Sequence, residues 1–204
     1  MNQETARIHS GAETPLTDDD IAAIVQQAQK GEAAAFGQLY EIYSDRVFRY
    51  IAYRVDSDAD AEDITEDVFI RMLEAIGTFK WRQVPFSAWL MRIAHNRVID
   101  YYRRSRLRTA TPLDDAPPLP SRDRDPQERV DTFSDLQELR VAMAGLTDLQ
   151  RQVISLRFGS DLSISETAHV MNRNEGAVKA LQHSAIRALR RLMLPRNTQG
   201  GATP

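Results

Sequence analysis

Apolar residues recur at intervals of three and four along most of the chain, which is the spacing of one face of an α-helix. In the first half, this pattern predicts four amphipathic helices, interrupted at Lys30-Gly31 and again from Gly77 to Pro85. The two longest apolar stripes run from Phe36 to Val55 and from Phe86 to Tyr101. No stretch alternates apolar and polar residues as a β-strand does, so the sequence predicts an all-α protein.

The helical pattern stops over residues 109–133 and resumes after them. This stretch holds five of the nine prolines, among aspartates and arginines, and such a composition cannot bury a core. We therefore expect a flexible linker at 109–133 between two small helical domains, one at 21–108 and one at 134–195. The polar ends, 1–20 and 196–204, are predicted to be disordered extensions.

The second domain carries the spacing of a helix-turn-helix. Two capping-box sequences, Thr147 to Gln150 and Ser163 to Glu166, each open a helix. The small Ala168 is followed four residues later by Asn172, a residue type that accepts a left-handed backbone. Val178 begins the next apolar stripe, which is predicted to be buried and continues through Leu181, Ala185, Leu189 and Leu192. The second helix of such a motif enters the major groove of DNA. Its opposite face carries the cationic side chains expected to contact DNA: Lys179, His183, Arg187, Arg190 and Arg191. A helical hairpin with a solvated basic face is the alternative.

Charge alternates in blocks along the chain. Residues 1–76 contain 6 basic and 16 acidic side chains, a net charge of −10, whereas residues 77–108 have a net charge of +7. Residues 109–138 have a net charge of −5 and residues 139–204 of +5, so the whole-chain value of −3 conceals two basic blocks. Basic blocks attract phosphate, and acidic blocks suit a basic protein partner.

Several motifs, taken in their order along the chain, resemble those of bacterial RNA polymerase sigma factors. The acidic segment Asp60 to Phe69 is similar to the region 2 helix by which sigma factors grip the clamp of core polymerase. The segment Phe86 to Arg104 resembles the helix that melts and reads the −10 promoter element. Leu146 to Val153, with the helix-turn-helix, is similar to region 4, which reads the −35 element. Two domains without further regions point to the extracytoplasmic-function group of these proteins.

This resemblance implies a function, partners and a set of contact residues. The chain would bind core polymerase and promoter DNA and start DNA melting, with an anti-sigma factor as a possible third partner. Core polymerase would be contacted by Asp63, Glu66, Asp67, Phe69 and Arg71. The −10 DNA would be contacted by Phe79, Trp81, Arg92, Asn96, Arg103 and Arg104. For Phe79 and Trp81, simple loop packing is an equally good interpretation. The helix-turn-helix departs from the family where Leu181 replaces a usual arginine, so no −35 consensus can be carried over.

Other classes of function find little support in the sequence. No phosphate-binding loop, HExxH motif or cysteine is present, and the four histidines are scattered, so neither an enzyme nor a cofactor or metal site is indicated. A homodimeric helix-turn-helix repressor is the main alternative, and a helical adaptor protein is a weaker one. Neither alternative needs an acidic helix followed by a separate basic block. The polar N-terminus and the absence of cysteine favour a cytoplasmic protein.

Overall fold

The computed structural model describes residues 16–81, 84–110, 139 and 141–193, with side chains omitted at 107–110. Every regular element in these ranges is helical, which confirms the predicted all-α class. The predicted linker at 109–133 and the tail at 196–204 lie outside these ranges, except that helix continues through Ala110. The first helix begins at Asp18, so residues 18–20 are helical and not part of a disordered extension, whereas residues 1–15 of the predicted extension lie outside the described ranges.

The N-terminal bundle consists of α1 (Asp18–Gln29), α2 (Ala33–Ala52), α3 (Asp58–Ala75) and α4 (Phe86–Ala110). A single 3-10 turn, Ile76–Thr78, follows α3. Thr17 forms a capping box with Asp20, which supplies hydrogen bonds that the first turn of α1 otherwise lacks. Gly31 takes a φ of 88° between α1 and α2, a left-handed conformation that glycine adopts without a steric cost.

Buried apolar side chains from all four helices form the core of this bundle. Leu39, Val47, Val68, Leu90 and Val98 are all fully buried. Their spacing along the chain is the helical spacing from which the four helices were predicted, so the apolar stripes do face inward.

The C-terminal unit, residues 141–193, contains a helical segment at 141–144 followed by α5 (Asp148–Ile154), α6 (Ile164–Met171) and α7 (Glu175–Met193). A π-helix at Ser155–Gly159 follows α5 directly. Both predicted capping boxes are present, at the starts of α5 and α6. Buried side chains including Met143, Val153 and Val178 hold the unit together.

The C-terminal unit packs directly on the N-terminal bundle. Helix α6 lies against α4, and the π-helix lies against α2. Leu156, Leu162 and Val170 of the C-terminal unit are buried in the same apolar cluster as the core of the bundle. The sequence predicts two domains joined by a linker but gives no sign of this contact between them.

Candidate polymerase- and DNA-binding surfaces

The acidic face of α3 is the first candidate surface. Asp63 and Glu66 are exposed on it, as a protein-binding role requires. Asp67 is half-buried because its carboxylate accepts a hydrogen bond from Arg97 of α4, with an N–O distance of 3.2 Å. Asp67 therefore joins α3 to α4 while 44% of its side chain stays exposed, and Asp63 and Glu66 remain available to a partner.

The remaining predicted polymerase contacts have different environments. Phe69 is only 8% exposed, and its ring centre lies 4.7 Å from that of Tyr40, so it mainly packs α3 on α2. Arg71 is exposed and pairs with Glu74 at 2.8 Å. Ile70 and Leu73, by contrast, are 55% and 53% exposed. The three-and-four apolar spacing that predicts α3 includes Leu73 with Val68, Phe69 and Met72, so it predicts a buried Leu73, which is wrong, and it does not single out Ile70.

The two loop aromatics after α3 occupy different environments. Phe79 is 7% exposed, and its ring centre lies 5.2 to 5.7 Å from those of Trp81, Phe86 and Trp89. Gln29 of α1 fixes the loop by donating a hydrogen bond to the Phe79 carbonyl at 2.8 Å. Trp81 is 46% exposed, so its ring is the one that can reach a partner. A base-stacking role for Phe79 stays a prediction, and it requires the loop to rearrange.

Four predicted −10 contacts on helix α4 are exposed to solvent, as contact with DNA requires: Arg92, Asn96, Arg103 and Arg104. The single carboxylate of α4, Asp100, accepts from Arg97 at 2.9 Å and pairs with Arg103 at 3.1 Å. Arg103 is 71% exposed, so this ion pair leaves its guanidinium accessible to phosphate.

His95 of α4 is a polar centre that the sequence did not identify. Its Nδ1 lies 3.1 Å from the Tyr50 hydroxyl and 3.1 Å from the side-chain amide nitrogen of Gln152 in α5. Burial, with Arg54 and Arg92 nearby, lowers the pKa of His95 to about 4, so the imidazole is neutral at pH 7. Burial raises the pKa of Tyr50 to about 12, so this hydroxyl is neutral as well. A histidine on the polar side of a helix carries no sequence signal that distinguishes it from a solvated one.

The helix-turn-helix has the predicted local geometry. Asn172 adopts φ 51° and ψ 49°, the left-handed conformation expected at the end of α6. Asn174 caps α7 through its Oδ1, which accepts from the Ala177 amide at 2.8 Å. Val178 and Ala185 are fully buried on the inner face of α7. The turn and the apolar stripe therefore orient the opposite face of α7 outward.

That outward face carries the predicted −35 contacts. All five side chains are exposed: Lys179, His183, Arg187, Arg190 and Arg191. Lys179 lies 3.7 Å from Glu175, a surface ion pair of small energetic value that DNA phosphate can displace. Leu192 was expected on the buried stripe but is 49% exposed, so that expectation is wrong. It lies at the end of the helix, beside Gly145.

The described ranges contain neither a metal-binding cluster nor a membrane-spanning helix. Across these residues, histidine and carboxylate side chains do not gather in any group of three that could hold a metal ion. None of the helices in the same ranges is long and apolar enough to cross a membrane.

Comparison with known proteins identifies the family. The model of sigma-70 region 2 matches residues 39–108, and that of sigma-70 region 4 matches residues 142–191. The chain is 43% identical over 182 residues to the ECF RNA polymerase sigma factor BldN of Streptomyces coelicolor, covering 88% of this chain and 69% of BldN. It is 30% identical to the ECF sigma factor ShbA of Streptomyces griseus, covering 87% of this chain and 98% of ShbA.

A solved structure shares the fold. CnrH, determined in complex with the cytosolic domain of CnrY, matches with a TM-score of 0.65 and 24% identity over 83% of this chain and 94% of CnrH. The two family models follow each other in the order that the motifs predicted, on the bundle that carries the acidic face and on the unit that carries the helix-turn-helix. The chain therefore belongs to the extracytoplasmic-function group of RNA polymerase sigma factors, the transcription initiation factors that direct core polymerase to promoters.

Proposed function

We propose that this chain acts in the cytoplasm as a non-catalytic initiation factor. Its acidic surface binds core polymerase, and its basic surfaces bind promoter DNA. The observation that carries the proposal is the separation of these surfaces. Among the described side chains, α3 carries five exposed carboxylates and one exposed arginine, whereas α4 and α7 each carry four exposed lysine or arginine side chains and at most one exposed carboxylate. A stand-alone repressor has no use for the α3 surface, and an adaptor protein has no use for the basic helices.

The α3 surface is proposed to bind the clamp of the largest polymerase subunit. Asp63 and Glu66 supply charge that steers a basic partner, and Ile70 with Leu73 supplies apolar area next to it. An interface needs both kinds of contact, because exposed ion pairs alone contribute little net binding energy. Phe69 supports this surface from the core, and Asp67 supports it through its ion pair with Arg97.

Helix α4 and the loop before it are proposed to melt and read the −10 element. Trp81 offers an exposed ring on which an unpaired base can stack, and Asn96 offers an amide for a base edge. Arg92, Arg103 and Arg104 supply charge for the phosphates on the same helix. Extruding a paired base costs a few kcal/mol, so a stacking ring and a hydrogen-bonding side chain must together return that energy.

Helix α7 is proposed to read the −35 element in the major groove. Lys179, His183 and Arg187 follow one another at four-residue spacing on its exposed face, within reach of successive base edges. Arg190 and Arg191 lie one helical turn further on, where they can contact the phosphate backbone of the DNA.

An anti-sigma factor is proposed as the regulatory partner. Among structurally similar proteins, CnrH was solved with the cytosolic domain of CnrY and RpoE of Bartonella quintana with the anti-sigma factor NepR. This chain has an apolar groove of about 530 Å³, lined by residues that include Tyr53, Met143, Phe158 and Leu189, which suits the apolar side of a partner helix.

The proposed function is tested by transcription with purified core polymerase on a promoter library. We expect run-off transcripts from a subset of promoters, with thymines near −10 becoming reactive to permanganate as the strands separate. Core polymerase alone is the control. If the holoenzyme binds promoters but never produces reactive thymines, the assignment of melting to α4 and its loop is wrong.

A further inference from the structure

Five exposed side chains of α4 form a stripe along the helix. They recur at intervals of three and four residues: Arg92, Asn96, Ile99, Arg103 and Arg106. At about 100° per residue, the five lie within an arc of about 80° around the helix axis. The buried side chains of Ala94 and Val98 lie on the opposite side of α4, in the core of the bundle. The stripe therefore faces away from the core.

Ile99 is the apolar member of this stripe, and its side chain is 47% exposed. It lies between Asn96, about 4.5 Å before it along the helix axis, and Arg103, about 6 Å after it. The other members of the stripe are three arginines and an asparagine. Ile99 belongs to neither of the two apolar clusters that the described residues form. An apolar side chain therefore occupies the middle of a cationic surface without contributing to a core.

Neither the helix nor the core explains an isoleucine at this position. A β-branched side chain loses rotamer freedom in a helix, so an exposed lysine, arginine or alanine favours the helix more. Single exposed apolar residues are common on protein surfaces, so exposure by itself does not indicate a ligand. The location of Ile99 does indicate one, because the residue lies among side chains that donate to phosphates and base edges. A ligand that fits this stripe carries negative charge along its sides and a small apolar group between them.

Promoter DNA has this combination of groups. Phosphates run along both strands, and thymine presents a C5 methyl group beside its O4 acceptor. Cytosine presents an amino donor at the corresponding edge and has no methyl group. The methyl group stays on the base when the strands separate, so an apolar contact with it does not depend on base pairing.

We propose that Ile99 is a specificity-determining residue that contacts the C5 methyl group of one thymine in the −10 element. The inference rests on the proposed function of α4. Arg92 and Arg103 hold phosphates, Asn96 bonds the edge of a neighbouring base, and Ile99 excludes water from the methyl group. Burying one such group corresponds to about a four-fold change in binding. Thymine is therefore preferred at this position through an apolar contact that the polar members of the stripe cannot make.

Deoxyuridine tests this contact, because it keeps every hydrogen-bonding group of thymine and lacks the methyl group. Each thymine of the −10 element is replaced in turn, on both strands, in a synthetic promoter from which the holoenzyme transcribes. With the holoenzyme at a limiting concentration, we expect replacement at one position to lower run-off transcription about three- to five-fold. The other positions are internal controls, since they report any general effect of deoxyuridine on duplex stability.

Variants at position 99 assign the effect to this side chain. Ile99→Ala should lower transcription from the thymine promoter as much as deoxyuridine does, and the two changes together should cause no further loss. Ile99→Val retains a branched apolar group and should keep most of the preference for thymine. Alanine favours an exposed helix at least as well as isoleucine, so thermal unfolding of Ile99→Ala should be unchanged.

The matched control is Val141→Ala. Val141 is an apolar side chain of the C-terminal unit that is 70% exposed, so its truncation removes a similar surface far along the chain from α4. This variant should distinguish thymine from deoxyuridine as the natural chain does.

Three results would overturn the inference or its basis. Equal transcription from the thymine and deoxyuridine promoters at every position would contradict the contact, and so would an Ile99→Ala protein that still distinguishes them. A lower affinity of Ile99→Ala for core polymerase without DNA would also contradict it, because Ile99 would then belong to a protein interface. If the natural chain does not transcribe with core polymerase, the proposed function itself is wrong.

Discussion

Phe79 and Trp81 are two residues apart, yet the fold gives them different roles. Phe79 is enclosed by three other rings, whereas Trp81 leaves about half of its surface in solvent. The sequence could not separate the two residues, because an aromatic ring in a loop suits both packing and base stacking. The burial of each ring favours packing for Phe79 and leaves the Trp81 ring accessible to a base.

A pair of alanine substitutions distinguishes packing from stacking. Trp81→Ala should leave the melting temperature unchanged and reduce permanganate reactivity at the −10 element, because losing one stacking ring is worth about 1–3 kcal/mol. Phe79→Ala should instead lower the free energy of unfolding by about 3–5 kcal/mol, as truncating a buried Phe usually does. Thermal unfolding and permanganate footprinting give the two readouts. A Phe79→Ala protein of normal stability that no longer opens DNA would show that Phe79 is itself a base-contacting residue.

At the scale of elements, the charge on α3 is the feature most open to test. Because Asp67 forms an ion pair with Arg97 of α4, reversing Asp67 would disturb the contact between α3 and α4 as well as binding. Asp63→Lys with Glu66→Lys avoids this problem. We expect affinity for core polymerase, measured by pull-down or titration, to fall roughly ten-fold or more, since like charges facing each other cost several kcal/mol.

The matched control for this reversal is Asp19→Lys with Asp45→Lys. Both residues are exposed, and they lie on α1 and α2, so the same change in net charge falls outside the proposed surface. The control should bind core polymerase as the natural chain does, because surface substitutions rarely change stability by much. Equal loss in both double variants would show that α3 contributes only through overall charge.

The recognition helix gives a second test at this scale. Alanine at Lys179, His183 or Arg187 should relax sequence preference at particular −35 positions, by about 1–3 kcal/mol of discrimination for each direct base contact. Alanine at Arg190 or Arg191 should weaken binding about equally on all sequences, as the loss of a phosphate contact does. Transcription from a panel of −35 variants measures both effects. A uniform loss for all five substitutions would mean that α7 positions the protein without reading bases.

At the scale of the whole molecule, the position of His95 predicts that the packing of the C-terminal unit on the N-terminal bundle depends on pH. The groups that face the imidazole are Tyr50, Gln152, Arg54 and Arg92, two neutral and two cationic, and none favours its protonation. When the two units are apart, His95 takes up a proton near the ordinary histidine pKa of 6.5, whereas burial between the packed units lowers its pKa to about 4. The contribution of His95 to this packing is therefore complete above pH 6.5 and is lost as the pH falls from 6.5 towards 4.

Small-angle scattering measures this effect directly. The radius of gyration of the isolated chain should rise between pH 7 and pH 5, a window above the usual pKa range of carboxyl groups. His95→Gln keeps a hydrogen-bonding side chain but cannot titrate in this window, so its radius should stay constant. A natural chain whose radius does not change over the same window would contradict the role given to His95.

The sequence by itself determined the elements and their chemistry. The helices, both capping boxes, the left-handed Asn172 and the exposed cations of α7 follow from neighbours a few residues apart, and the ordered motifs pointed to the family. Helical periodicity and capping are local effects, so a single sequence contains them in full.

Only the tertiary structure decided how residues distant in sequence meet. Asp67 forms a hydrogen bond with Arg97, thirty residues later, and His95 forms one with Gln152, fifty-seven residues later. The burial of Phe79, the exposure of Ile70 and Leu73, and the packing of the C-terminal unit on the bundle all depend on such encounters. The residue type in the sequence is the same whether an apolar or charged side chain faces a core, a second domain or water. Only three-dimensional packing distinguishes these environments.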